Sequence, residues 1–166
     1  MTTTEFWQII EQSGHEAESS DEQAEKLEDL LSELAPEEIA AFEDLFTKFR
    51  YAAYRWDLWG VAYVLCGGCG DDSFDYFRAW VIGRGQKFYE EAMQDPESIA
   101  DKVTADDCPE AELLMYAAAN AYEEKTGEDL PARTIKHPKE PAGEQWEEED
   151  LPKLFPRAWK KECICG

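Results

Sequence analysis

The chain has 166 residues, with 38 acidic against 16 basic side chains and a net charge of −22. It repels a phosphate backbone over most of its surface, and no Lys/Arg cluster offers a local exception, so nucleic acid and anionic membrane are not expected partners. Hydrophobic residues at 43% and aromatics at 13% are too many for a disordered chain, and the length suits one domain with a real core.

Met1 to Glu5 shows neither a basic nor an apolar leader. The five cysteines (Cys66, Cys69, Cys108, Cys163, Cys165) are an odd number, which fits reduced thiols in a cytoplasmic protein better than a disulfide framework. Thr4 is a plausible N-cap for a first helix with Phe6, Ile9, Ile10 and Ser13 on one face, ended by Gly14. After a polar linker, Ser20 and Gln23 have capping-box spacing. Ala24, Leu27, Leu30, Leu31 and Leu34 behind them follow the helical repeat.

Pro36 suits the first position of the next helix, striped by Ile39, Phe42, Leu45, Phe46, Phe49 and Ala53. Asp57 is placed to cap a nearly all-apolar helix, Leu58 to Cys66, about half of the roughly 20 residues a membrane span needs. Gly67-Gly68-Cys69-Gly70 reads as a turn. Asp71 and Asp72 offer caps for a helix carrying Phe74, Phe77, Val81 and Ile82; Gly83 and Gly85 interrupt it before Gln86 to Gln94. Pro109 opens the last long helix, with Leu113, Leu114, Tyr116, Ala117, Asn120 and Ala121 inward and Gly127 at its end. No strand shows a period of two. The fold class is all-α: a compact multi-helix bundle over 1–130. Residues 131–166 hold five of the eight prolines and form an extended C-terminal segment on the same domain, pinned by Trp146, Leu151, Leu154, Phe155 and Trp159.

The chemistry concentrates between Tyr54 and Trp80. Trp59 and Tyr63 lie four apart on one helix face, with Trp56 beside them. Asp57, Asp71 and Asp72 stand at helix starts, where backbone N–H groups favour carboxylates, and Arg55 and Arg78 are placed to fork onto them. Such a set serves equally as caps, ion pairs and core rings, or as an aromatic pocket with converging charges. On the second reading the ligand-binding residues are Arg55, Trp56, Asp57, Trp59, Tyr63, Asp71, Asp72 and Arg78, and the occupant is a partner protein or a small molecule.

Two alternatives stay open. Asp71 and Asp72 suit a general base or a divalent-cation site in an enzyme. Cys66 and Cys69, two residues apart, suit a zinc staple completed by Cys163 and Cys165, although a single residue between the second pair is unusual. A buried Cys66 acting as a small apolar residue is the simpler account. No cofactor is implied. His15 and His137 lack a companion nucleophile, and the glycines lack the Gly-Lys-Ser/Thr of a phosphate loop.

From Tyr54 to Gly85 these residues resemble a bacterial family, domain of unknown function 4240. The matching positions are an opening Phe6-Trp7, then Arg55-Trp56-Asp57-Leu58-Trp59-Gly60, Ala62-Tyr63, Gly67-Gly68-Cys69, Asp71-Asp72, Phe74, Phe77-Arg78 and Trp80. Leu151-Pro152 and Phe155-Pro156-Arg157 close the pattern. The resemblance implies a compact helical bacterial domain and brings no established activity with it.

Overall fold

Helix α1 (Thr3–Gly14) starts from Thr2 rather than Thr4. The Glu5 amide donates to Thr2 Oγ1 at 3.2 Å and the Thr2 amide donates to the Glu5 carboxylate at 2.7 Å, a reciprocal capping box. In α2 (Ser20–Ser32) the cap is also early, by one residue, with Ser19 Oγ accepting from the Glu22 amide at 3.1 Å. That shift releases Gln23 to turn inward. Its amide nitrogen donates to Gly83 O at 2.8 Å and to Ser13 Oγ at 3.2 Å, tying α1 and α2 to a third helix. The structure is a computed structural model describing residues 1–104, 106–107 and 109–161. Cys108, Cys163 and Cys165, and so half of the four-thiolate reading, lie outside the described residues.

The remaining helices are α3 (Pro36–Ala52), α4 (Trp56–Leu65), α5 (Asp71–Gly83), α6 (Gln86–Gln94), α7 (Ser98–Lys102) and α8 (Ala117–Thr126), then two short C-terminal turns of helix, α9 (Leu151–Leu154) and α10 (Pro156–Trp159). Among the described residues there is no strand; one isolated parallel bridge joins Arg55 to Ala142. The all-α reading holds, and no helix among the described residues is long and apolar enough to cross a membrane. Pro36 occupies the first turn of α3 as expected. Phe6, Trp7, Ile10, Leu27, Leu31, Ile39, Phe42, Phe46, Phe77 and Val81 form one continuous core.

The expected long helix after Pro109 is split. Glu112–Met115 is a 3-10 turn, and α8 begins only at Ala117. Three residues per turn put Leu113 and Tyr116 in one line facing solvent, while Leu114, Ala117, Ala118 and Ala121 face the core. Asn120 is exposed as well. The small alanine face lets α8 lie against α2 and α3, and Gly127 closes it at φ +74.

Beyond α8 the chain runs back along α3 and α4. Arg133 Nη1 donates to Glu43 Oε1 at 2.7 Å and to Thr47 Oγ1 at 2.6 Å. Leu151, Phe155 and Ala158 are buried, whereas Leu154 and Trp159, expected to pin the segment, are 52% and 54% exposed. Two helical turns as short as α9 and α10 turn only one residue in three or four toward the body. The amides of Arg157 and Ala158 donate to Glu97 Oε2 at 2.6 and 3.0 Å, and the Arg157 guanidinium reaches Asp95 and Asp101 at 2.8 and 2.6 Å.

Glu43 is a charged side chain only 6% exposed, and burial pushes its pKa up against the pull of Arg133, Arg50 and Thr47. A carboxyl with a raised folded pKa contributes stability that is complete below its ordinary 4.5 and is lost as pH rises through the folded value. Wild-type stability relative to Glu43→Gln is therefore expected to rise as pH falls from neutral toward 4.5. Urea melts of both proteins across that range check it, and parallel pH profiles would contradict it.

Candidate binding site

The junction between α3 and α4 is built by a nonlocal backbone pairing. The Trp56 amide donates to Ala142 O and the Ala142 amide donates to Tyr54 O, both at 2.9 Å. Arg55, the N-cap of α4, is thereby held extended at φ −138, ψ 142. The Ala142 carbonyl takes the first helical amide, so the helix starts one residue before the expected cap. Asp57 sits inside the first turn, where its Oδ1 accepts from the Leu58 amide at 2.8 Å. Arg55 forks onto Asp57 through Nε at 3.0 Å and Nη2 at 2.6 Å. Its Nη1 donates to Met93 O at 2.8 Å, which supplies a partner for a carbonyl near the end of α6.

Trp56 stacks on Trp59 at 5.3 Å and 10°, and Trp59 on Phe74 at 4.8 Å and 13°. Trp146 from the C-terminal segment meets Trp56 edge-on at 5.7 Å and Tyr63 at 5.4 Å. Both inner indole N–H groups are occupied: Trp59 Nε1 donates to Cys69 O at 2.8 Å and Trp146 Nε1 to Trp56 O at 2.6 Å. The first of these bonds fixes the glycine turn, where Gly67 and Gly68 have φ of +66 and +118.

Asp71 and Asp72 occupy the first two positions of α5, behind an N-cap at Gly70, and both are exposed. Arg78, 2% exposed, lies beneath the stack and reaches neither. Its Nη2 donates to Asp75 Oδ1 at 3.1 Å, its Nη1 to Arg50 O at 3.0 Å and its Nε to Phe74 O at 3.3 Å. The guanidinium also covers the Tyr54 and Phe74 rings at 4.7 Å each. Burial pulls its pKa down to about 10 against the attraction of Asp75. Arg50 completes the group, with Nη1 at 2.7 and 2.8 Å from the two Asp75 oxygens.

Of the residues singled out by sequence as binding residues, Arg55 and Asp57 line a cleft of about 470 Å³, together with Gly143, Trp146 and Phe155. Trp56 and Trp59 belong to the ring stack beside it, Tyr63 meets the Trp146 ring, Arg78 lies buried below, and Asp71 and Asp72 do not line the cleft. Glu43, Arg50 and Asp75 were not singled out, and Trp146 was expected only to pin the C-terminal segment. Only Asp75, three residues before Arg78 on one helix face, left a local signal. Cys66 is half-buried and Cys69 buried. Among the described residues no three or more His, Cys, Asp or Glu side chains gather to hold a metal ion.

With this geometry in place, comparison with known proteins gives one match. The family model described as "Protein of unknown function (DUF4240)" covers residues 1–124. The chain belongs to this family. No curated protein and no solved structure matches it. The DUF4240 match takes in the whole aromatic junction from Arg55 to Trp80 and the helices that carry it. The cleft's C-terminal wall, from Ala142 to Phe155, lies beyond the matched residues.

Proposed function

We propose that this DUF4240 protein is a cytoplasmic binding module whose recognition surface is the α3–α4 junction, and that its partner is another protein. The carrying observation is the cleft at that junction: a bidentate Arg55–Asp57 pair lines it together with Trp146, Phe155 and the exposed Leu154. Aromatic walls with a few oriented polar groups suit recognition of an apolar anchor. A catalytic reading asks for converging titratable groups, whereas Asp71 and Asp72 stand apart on open surface. The net charge of −22 supports a basic or neutral partner over nucleic acid.

The test is a side-chain NMR titration with N-acetyl-tryptophanamide as the probe. Shifts of the Arg55 Nε–H and the Trp146 indole N–H at probe concentrations on the order of 1 mM, the affinity range of a single anchor, are the expected result. Shifts confined to other residues would overturn the assignment of the surface.

A further inference from the structure

Resting on the reading of the domain as a binding module, we propose that one face of α3, continued onto the start of α4, is a docking groove. Its ligand is an extended, proline-containing segment of a partner protein with a basic leading half, and residues 131–147 of this chain occupy the groove in cis until such a segment displaces them.

The receiving face is Glu43, Thr47 and Tyr51, which follow one another along a single side of α3, with Tyr54 just past the end of that helix. Arg133 enters a socket made by the Glu43 carboxylate and the Thr47 hydroxyl. His137 stands edge-on against Tyr51 and Tyr54, at 4.9 and 4.8 Å between ring centres. Ala142 pairs its backbone with Tyr54 and Trp56, and Trp146 seats on Trp56 and Tyr63. The spacing is geometrically matched. From Glu43 to Tyr51 the helix advances about 12 Å, and from Arg133 to His137 an extended chain covers about 13 Å. A continuous extended peptide therefore meets the face in register, parallel to α3.

Two features identify the occupant as a replaceable ligand rather than part of the bundle. Between its anchors the segment is exposed and has no helix of its own, with Thr134, Lys136, Lys139, Glu140 and Glu144 all turned to solvent. Its leading part is also the basic stretch of an acidic chain: Arg133, Lys136 and Lys139 fall between Pro131 and Lys139 without an acidic residue among them, in a protein of net charge −22, and Glu140, Glu144 and Glu147 follow only after them. The groove thus holds a segment whose leading part, 131–139, is opposite in charge to its surroundings, anchored by a buried carboxylate at that end and an indole seat at the other. Any segment with the same cation, the same extended backbone and the same aromatic anchor competes for these contacts.

The test uses the full chain and a fluorescent peptide of residues 131–147 added in trans, read by anisotropy. Two variants loosen the resident segment without touching the receiving face: Arg133→Ala with Trp146→Ala, and Ala142→Pro, which removes the amide that pairs with Tyr54. Opening the groove should lower the apparent Kd for the peptide by about tenfold or more relative to wild type, because the competent fraction rises. Adding Glu43→Gln should reverse the gain, and raised salt should weaken binding. No binding by either opened variant, equal binding by opened and wild-type chains, or equal binding of a scrambled peptide would each overturn the proposal. The fragment titration reads the cleft of the closed chain and the peptide reads the groove of the opened one, so a failure of the docking proposal is distinguished from a failure of the reading it rests on.

Discussion

Replacing Arg78 with leucine is expected to lower the stability of the domain by about 3 kcal/mol or more, the usual consequence of removing one member of a buried hydrogen-bonded ion group. The guanidinium is 2% exposed and engages Asp75, the Arg50 carbonyl and the Phe74 carbonyl together. Leucine supplies no donor, so the Arg50 carbonyl at the end of α3 is left without the partner that joins α3 to α5. Asp75 keeps Arg50, whose Nη1 holds both carboxylate oxygens, which places the expected loss at the lower end of the range. The cation over Tyr54 and Phe74 disappears as well. Lysine in place of Arg78 keeps a charge but not the fork, and it should recover less than half of the loss. Urea unfolding of the three proteins checks the order. A leucine variant within about 0.5 kcal/mol of wild type, the range of an ordinary surface change, would show that the arginine is incidental to the fold.

Arg78 also shows where sequence reading stops. The residue stood out as a cation near Asp71 and Asp72, yet its carboxylate is Asp75, one turn back on the same helix. Adjacent carboxylates near a predicted cap attract attention that a single aspartate inside a helix does not. The partner's position depends on Arg50, which lies 25 residues away and sits on the buried side of α3. From α3 alone, Glu43, Thr47 and Arg50 read as a solvated flank beside the apolar stripe, and only packing against α5 and the C-terminal segment buries them. Pro36 at a helix start, Gly127 at a helix end and the glycine turn after Cys66 were legible because each follows from local backbone geometry. The Thr2 and Ser19 caps lie two residues and one residue ahead of the expected positions because runs of Ser and Thr offer several chemically equal caps, and at Thr2 the choice falls to the reciprocal Glu5. Ring neighbours three or four apart on α4 were legible too. The pairing of Ala142 with Tyr54 and Trp56, and the seat it creates for Trp146, span about half the chain and leave no periodic trace.

Gly60→Ala carries the second large effect, and its sign is the informative part. In a helix interior alanine is favoured over glycine by about 0.5–1 kcal/mol, so local propensity alone forecasts a gain. Gly60 is buried in the middle of α4, and the ring of Phe155 lies directly against it. An added Cβ would fall inside contact distance of Phe155 Cε2, 2.7 Å from Cζ and 3.0 Å from Cδ2. The ring has to leave, and Leu151 and Ala158, buried on the same two helical turns, lose their seat with it. Overpacking of this kind costs about 1–3 kcal/mol, and the propensity gain does not offset it, so a net loss of about 2 kcal/mol is expected. The double-mutant cycle separates the two contributions. Phe155→Ala alone should be destabilising, while Gly60→Ala introduced into that background should be neutral or stabilising by up to about 1 kcal/mol, because the obstruction is gone and propensity remains. Equal effects of Gly60→Ala in both backgrounds would mean that Phe155 does not rest on α4 in solution. The C-terminal wall of the cleft would then have to be redrawn, since Phe155 is what holds that wall against the helix.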